Sequence, residues 1–121
     1  MSEKANKAIE NHKNFYSCSA AVLCAFADEA GLSEQDAKKL AVPFAGGKMG
    51  KCGAVLASEY IISKKYPAQA ERLIIEFENR FTEMNHSVMC RELKGGLTGK
   101  PLRSCRGCVT DAAELLEEMF K

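Results

Sequence analysis

Apolar side chains recur at intervals of three or four residues in every long segment of this chain, whereas the alternating pattern of a strand is almost absent. The spacing is clearest between Pro67 and His86, where one face carries Ala70, Leu73, Ile74, Phe77, Phe81 and Met84. Such spacing places apolar side chains along one side of a helix. The chain is therefore predicted to be all-α, a single compact bundle of about five helices.

Local signals predict where several of these helices begin and end. Ser33 and Ser104 are predicted caps, because a serine hydroxyl can accept a hydrogen bond from a free amide in the first turn of a helix. Pro67 is predicted at a helix start, where its missing N–H costs least. Gly31 is predicted to end the first long helix.

The N-terminal residues differ in composition from the rest of the chain. Residues 1–12 are rich in lysine, glutamate and asparagine and are predicted to be a flexible polar segment ahead of one helical domain over residues 13–121. The chain contains neither the apolar run of a signal peptide nor a stretch of eighteen apolar residues. No membrane insertion and a cytoplasmic location are expected.

Charge is balanced and mixed along the sequence. There are 17 Lys and Arg residues against 16 Asp and Glu residues, and the net charge is +1. No basic face with interleaved aromatic residues can be recognised, so nucleic-acid binding is not expected.

Six cysteines are many for a chain that does not need disulfides in order to fold. Cysteine frameworks are typical of small secreted domains that lack a core, whereas 121 residues that are 46% hydrophobic can build one. The thiols are therefore expected to serve thiol chemistry or metal binding. They are Cys18, Cys24, Cys52, Cys90, Cys105 and Cys108.

Several of these cysteines lie at predicted helix beginnings. Cys52 and the pair Cys105 and Cys108 follow loops that contain glycine and a basic residue, and Cys18 lies in a first turn. A helix N-terminus or a nearby cation lowers the pKa of a cysteine and favours the thiolate, which is both nucleophile and metal ligand. In the absence of a metal, Cys52 or Cys105 is the predicted attacking thiol and Cys108 a resolving partner, which gives three candidate catalytic residues.

Further observations argue against a thioredoxin-like fold and against a chemical role for some of the candidate residues. Cys105 and Cys108 form a CxxC, but no βαβ pattern precedes it, so a thioredoxin-like fold is not expected. Cys24 lies six residues beyond Cys18, about 240° around a helix, and is expected to be an inert buried residue. His12 and His86 are expected in surface or capping roles.

The run at residues 52–57, Cys-Gly-Ala-Val-Leu-Ala, resembles the motif of a redox-active protein family that is named after it, C_GCAxxG_C_C. The resemblance covers most of the chain, and Ala57 stands where the motif ends in glycine. Cys24 and Cys108 are additional to the pattern. The family's four cysteines correspond to Cys18, Cys52, Cys90 and Cys105. The resemblance implies a redox-active site at these cysteines, and some relatives carry an iron–sulfur centre.

The leading hypothesis is that the four family cysteines converge at helix ends and act together. Four thiolates match the ligand set of a [2Fe–2S] or [4Fe–4S] cluster, and the same thiols can form a reversible dithiol/disulfide couple. A protein redox partner is expected in either case. The residues predicted to let the backbone approach a cofactor are Gly46, Gly47, Gly50 and Gly53.

Two other classes of function remain open from the sequence. The same thiolates can form a structural zinc site in a module that binds a protein partner. Alternatively, the cysteines are core residues of an interaction protein that presents the apolar face of residues 70–84. A homodimer would be a natural way to cover leftover apolar surface.

Overall fold

The computed structural model describes residues 3–47, 49–96 and 99–120. Helices, the 3₁₀-helices included, make up 73% of the described residues, and no strand occurs among them, which confirms the all-α prediction. Two short 3₁₀-helices, Val42–Gly47 and Pro67–Gln69, interrupt the α-helical succession. The α-helices are α1 (Glu3–Lys13), α2 (Cys18–Ala25), α3 (Glu34–Ala41), α4 (Gly53–Lys65), α5 (Ala70–Asn85), α6 (Cys90–Leu93) and α7 (Cys105–Met119).

The described part of the chain has seven α-helices, more than the five predicted. In place of the flexible segment predicted for residues 1–12, the structure has α1, which packs against α2 and α7. Ala5 and Ala8 are fully buried, and the Ala5 amide donates a hydrogen bond to Glu117 Oε1 at 2.7 Å. The apolar face of α1 consists of small alanines, and the surrounding charged residues conceal it in the sequence.

The predicted caps are confirmed, whereas some predicted ends are displaced. Ser33 Oγ accepts a hydrogen bond from the Asp36 amide at 3.1 Å, and Ser104 Oγ accepts one from the Gly107 amide at 3.0 Å. Pro67 starts a 3₁₀ turn that leads into α5. The first long helix ends earlier than predicted, because α2 stops at Ala25 and turns continue to Gly31.

The core lies where α2 and α4 pack against each other and against the surrounding helices. In α5 the predicted face is buried at Phe77 and Phe81, but Met84 near the helix end remains 47% exposed. The largest fully buried side chains include Leu23, Phe26, Ile61, Ile62, Phe77, Phe81 and Leu116. No described helix combines the length and the apolar composition that a bilayer crossing requires.

A short backbone bridge ties the start of α4 to the start of α6. Lys51 pairs with Met89 in antiparallel fashion. The Cys52 amide donates to the Val88 carbonyl at 2.8 Å, and the Cys90 amide donates to the Gly50 carbonyl at 3.0 Å. The bridge therefore brings two cysteines that are 38 positions apart in sequence to adjacent helix starts.

Candidate functional site

Five of the six cysteines line one cavity of about 260 Å³. The structure thus brings the four family cysteines together from four separate segments, and it adds Cys108 to them. Their roles as ligands or nucleophiles remain predictions. The residues that line this cavity, called the cysteine cavity below, are His12, Ser17, Cys18, Cys52, Cys90, Leu93, Lys94, Arg103, Cys105 and Cys108.

Each family cysteine lies at the N-terminus of a helix. Cys18, Cys90 and Cys105 are the first residues of α2, α6 and α7, and Cys52 directly precedes α4. The first amides of a helix lack partners within the helix, and the helix dipole places partial positive charge there. Four such ends meet at the cavity, so the local backbone favours negative charge on the sulfurs.

Gly53 permits the close approach of α4 to α2 at the cavity. A Cβ atom at this position would lie 2.7 Å from Cys18 Sγ and 2.9 Å from the Phe44 carbonyl oxygen. Both distances are well inside van der Waals contact, so a larger residue would displace Cys18 or its neighbours. Gly53 therefore serves the placement of a sulfur atom.

The structure describes less at the other three glycines that were predicted to let the backbone approach a cofactor. Gly50 has φ +91°, a conformation that side chains disfavour, and its carbonyl accepts the hydrogen bond that positions Cys90. Gly46 and Gly47 are described only as the end of the 3₁₀-helix, and Lys48 lies outside the described residues. A direct approach of these glycines to a cofactor remains a prediction.

Cys52 does not have the lowered pKa expected at a helix start. Only 5% of this residue is exposed. Its hydrogen bond with Cys108, together with burial, raises the pKa of the thiol to about 12, although a hydrogen bond with Cys18 and the Val55 amide act in the opposite direction. Cys52 and Cys108 are therefore in contact, and Cys52 is a thiol at neutral pH unless a cation binds it.

Lys94 is a cation that interacts with the sulfurs of the cavity. Burial raises the pKa of Cys90, and the Lys94 ammonium group opposes this increase. In turn, the negative charges of Cys90 and Cys105 raise the pKa of Lys94. Lys94 therefore supplies positive charge to the cavity, a role that sequence reasoning did not assign to it although it lies four residues after Cys90.

Arg103 is a second basic side chain in the cavity wall. Its guanidinium group binds Asp111 through two hydrogen bonds of 3.0 and 3.3 Å. Gly107 makes room for it, since a Cβ atom there would lie 2.7 Å from Arg103 Cδ. The glycine inside the CxxC thus allows Arg103 to lie across the start of α7, which the spacing of the two cysteines alone did not reveal.

His12 also lines the cavity, a position that the predicted surface or capping role did not anticipate. The residue is half-buried, and its Nδ1 accepts a hydrogen bond from Arg106 Nε at 3.3 Å. Burial and the charge of Arg106 lower the pKa of the imidazole, which is therefore neutral at pH 7. His86, in contrast, caps α5 in the left-handed conformation, as predicted.

Cys24 lies apart from the other cysteines, in agreement with its predicted inert role. It is 8% exposed, is absent from the cavity wall, and its thiol donates to the Glu34 carbonyl at 3.8 Å. Burial raises its pKa. Cys24 thus offers a natural control for substitutions at Cys18 on the same helix.

The described cysteines do not form a ready-made site for one ion. All six cysteines are within the described residues and none forms a disulfide. No three Cys, His, Asp or Glu side chains in the described residues are placed to hold a single metal ion. The cavity far exceeds the roughly 10–15 Å³ that a single water occupies. The geometry can therefore surround a group of several atoms with sulfur, and it can also join two neighbouring thiols.

Comparison with known proteins identifies a family for the chain. Neither the curated proteins nor the solved structures contain a match to the chain. Residues 16–119 match the model of the family described as "Putative redox-active protein (C_GCAxxG_C_C)". This stretch includes α2 to α7 and all six cysteines. The chain therefore belongs to the C_GCAxxG_C_C family.

Proposed function

We propose that the protein holds an iron–sulfur cluster in the cysteine cavity and uses it for electron transfer. The cluster ligands are Cys18, Cys52, Cys90 and Cys105. The observation that carries this proposal is the convergence of these four sulfurs, each at a helix N-terminus, on one cavity of about 260 Å³. Four cysteine thiolates are the usual ligand set of [2Fe–2S] and [4Fe–4S] clusters.

The electrostatics of the cavity fit a cofactor that requires thiolates. Burying a thiolate is unfavourable, and this is why burial contributes to the raised pKa values of Cys52 and Cys90. A bound metal deprotonates a coordinating thiol outright. The helix N-termini and Lys94 then offset the negative charge of the sulfur ligands.

The spacing of the donors favours a cluster over zinc. A zinc site needs all its sulfurs at about 2.3 Å from one ion, and no described group of three donors is placed for that. In a cluster the irons are distributed over several positions, so the cysteines need not converge on one point. The cavity of about 260 Å³ with five cysteines in its wall is consistent with this requirement.

A second candidate function is a dithiol/disulfide couple between Cys52 and Cys108, which the hydrogen bond between these residues favours. In this reaction both thiols lose a proton and together release two electrons, an S–S bond forms, and a disulfide of a partner molecule is reduced to two thiols. Cys105 is only partly buried at the cavity wall, so it is the better first attacker on an incoming disulfide. Cys108 would then displace the partner thiol from Cys105, and attack by Cys52 on Cys108 would release the Cys105 thiol and leave the Cys52–Cys108 bond.

Anaerobic purification or reconstitution, followed by absorption spectroscopy and iron and sulfide analysis, tests the cluster. We expect visible absorbance with iron and acid-labile sulfide in the wild-type protein and in Cys24→Ser, and loss of both in Cys18→Ser. One zinc without sulfide would contradict the cluster. Loss of two titratable thiols in a protein that contains no metal would favour the disulfide couple over the cluster. The Cys108→Ser variant should not show this loss.

A further inference from the structure

Basic residues are concentrated in the segments that form the cysteine cavity. Residues 12–18, 49–52, 88–96 and 99–108, here called the cavity segments, contain seven of the 17 Lys and Arg residues but only one of the 16 Asp and Glu residues. The rest of the chain carries ten basic and fifteen acidic residues. The balanced net charge therefore conceals a strongly asymmetric distribution.

Part of this positive charge is not neutralised within the described structure. Lys51 pairs with Glu78, and Arg103 with Asp111. Among the described residues, Lys13, Arg91 and Lys94 form no ion pair with a carboxylate. All three side chains are exposed. Lys94 faces the sulfurs, whereas Lys13 and Arg91 directly follow the lining residues His12 and Cys90 in sequence and are available to an acidic surface.

Phe15 is the most exposed large apolar residue of this face. It is 98% exposed and has φ +70°, a conformation that is costly for a bulky side chain. It follows the end of α1 and lies between His12 and Ser17, both of which line the cavity. Nothing in the described structure packs on the ring, so the fold gains no burial in return for the strained backbone.

Three other exposed apolar residues lie close in sequence to residues that line the cavity. Leu102 precedes Arg103 and is 43% exposed, and Met89 precedes Cys90 and is 38% exposed. Met49, three residues before Cys52, is 58% exposed. An apolar contact area with a charged surround is typical of protein interfaces.

We propose that the cavity segments form a docking face for an acidic electron-transfer protein, with Phe15 as an apolar anchor. This inference rests on the proposed function and specifies its partner. Charge complementarity guides such a partner to the cavity. A second copy docked through the same face would oppose Lys13, Arg91 and Lys94 with like charges, so the face does not suit a symmetric homodimer.

The redox step at this interface is an outer-sphere transfer of one electron. The metal centre of the reduced partner would lose the electron and become oxidised, and Cys18, Cys52, Cys90 and Cys105 would hold the cluster that accepts it. No bond forms and no proton or group is transferred. Docking at the cavity wall shortens the path between the two centres.

A titration with a defined probe tests the docking face. The isotope-labelled protein, as purified and after metal removal, is titrated with a small acidic [2Fe–2S] ferredoxin and followed by NMR. We expect saturable binding that weakens as salt rises and that falls about tenfold in Lys13→Glu/Arg91→Glu. The control Lys39→Glu/Arg72→Glu has the same change in charge on residues outside the cavity segments and should bind like the wild-type protein.

The variant Phe15→Gly distinguishes a role of Phe15 in partner binding from a role in the stability of the fold. Glycine accepts the positive φ angle, so thermal stability should stay equal or increase while binding weakens several-fold. Equal weakening by both charge-reversed variants, no saturable binding, or self-association through this face would overturn the docking proposal. Binding without electron exchange would keep the docking face and contradict the proposed electron-transfer function instead.

Discussion

The two ends of the helix bundle use charged and aromatic side chains in different ways. At the end away from the cysteines, Lys4 Nζ lies 2.9 Å from Asp28 Oδ1 and 2.7 Å from Glu29 Oε1, and Lys65 pairs with the same glutamate. There the Phe120 ring packs edge-on against Phe26. At the cysteine end, by contrast, an aromatic ring is exposed and several cations have no carboxylate partner in the described structure.

The difference extends to the helix N-termini. Acidic residues commonly stabilise the first turn of a helix, but the first turns of α2, α4 and α7 contain none. Their N-terminal positions are occupied by Cys18, Cys52 and Cys105. At the cysteine end, the positive potential of these helix N-termini therefore acts on the sulfurs and on any group that they bind. At the opposite end, the charged side chains pair with one another. We infer that stability resides mainly in the core and that function resides at the cysteine end.

The largest effect is expected when the stability of the core is compared with that of the cysteine end. Phe81→Ala removes a fully buried ring and should lower the free energy of unfolding by about 3–5 kcal/mol. In the metal-free protein, Cys105→Ser at a partly buried position should cost less than about 1 kcal/mol. Urea denaturation of both variants provides the measurement. Similar losses in the two would show that the cysteine end is itself a main source of stability.

The next largest effect is expected at Gly53. Replacement by alanine normally stabilises a helix, but here the new Cβ would lie 2.7 Å from Cys18 Sγ. Gly53→Ala should therefore cost about 1–3 kcal/mol from overpacking and reduce metal content. Ala57→Gly, which restores the motif's glycine, is the control.

That control should cost about 1 kcal/mol through helix propensity and leave metal content unchanged. Thermal denaturation and metal analysis of the two variants decide the matter. A Gly53→Ala protein that is more stable than the wild type and fully loaded with metal would show that the close approach of α4 to α2 does not require glycine at this position.

Sequence patterns predicted the class of fold and the convergence of cysteines for identifiable reasons. Helical spacing and the serine caps act within a few residues, so Ser33 and Ser104 could be read directly from the chain. The helix α1 could not, because its buried face consists of Ala5 and Ala8 and carries little hydrophobic signal. The chain-specific Cys108 was ambiguous in the sequence, since burial and proximity to Cys52 depend on packing.

The electrostatics of the site were the least predictable part. A helix start predicts a lowered cysteine pKa, but at Cys52 burial and the neighbouring Cys108 outweigh the helix. The sequence placed His12 in a polar N-terminal segment. In the structure it belongs to α1 and accepts a hydrogen bond from Arg106 at the start of α7. Such effects arise from contacts between distant segments, and local spacing contains no information about them.

A smaller effect is expected at Glu59, which lies in α4 between the two ends. Burial and the adjacent Glu78 raise the pKa of Glu59 from 4.5 to about 8. The folded state therefore binds this proton more tightly than the unfolded state. The resulting stabilisation is complete below about pH 4.5 and is lost as the pH rises toward 8.

Glu59→Gln removes this titration. The wild-type free energy of unfolding should fall by on the order of 1 kcal/mol between pH 5 and pH 8, allowing for partial solvent screening, and the variant should show a flatter profile. Glu78 has a lowered pKa and titrates below this window. Urea denaturation at several pH values gives the slope. Parallel profiles for the two proteins would exclude Glu59 as the titrating group.

The smallest effect is expected from Lys4→Met at the end opposite the cysteines. The lysine pairs with Asp28 and Glu29, and its ammonium group lies 5.6 Å from the centre of the Phe26 ring. Ion pairs at the surface contribute about 0–1 kcal/mol, so the loss should stay within that range and diminish at high salt. Lys7→Met, with the same change in charge on an exposed residue of α1, is the control. Neither variant should alter metal content or ferredoxin binding, because the charges at this end are neutralised locally; a change in either property would show that the two ends are coupled through α1.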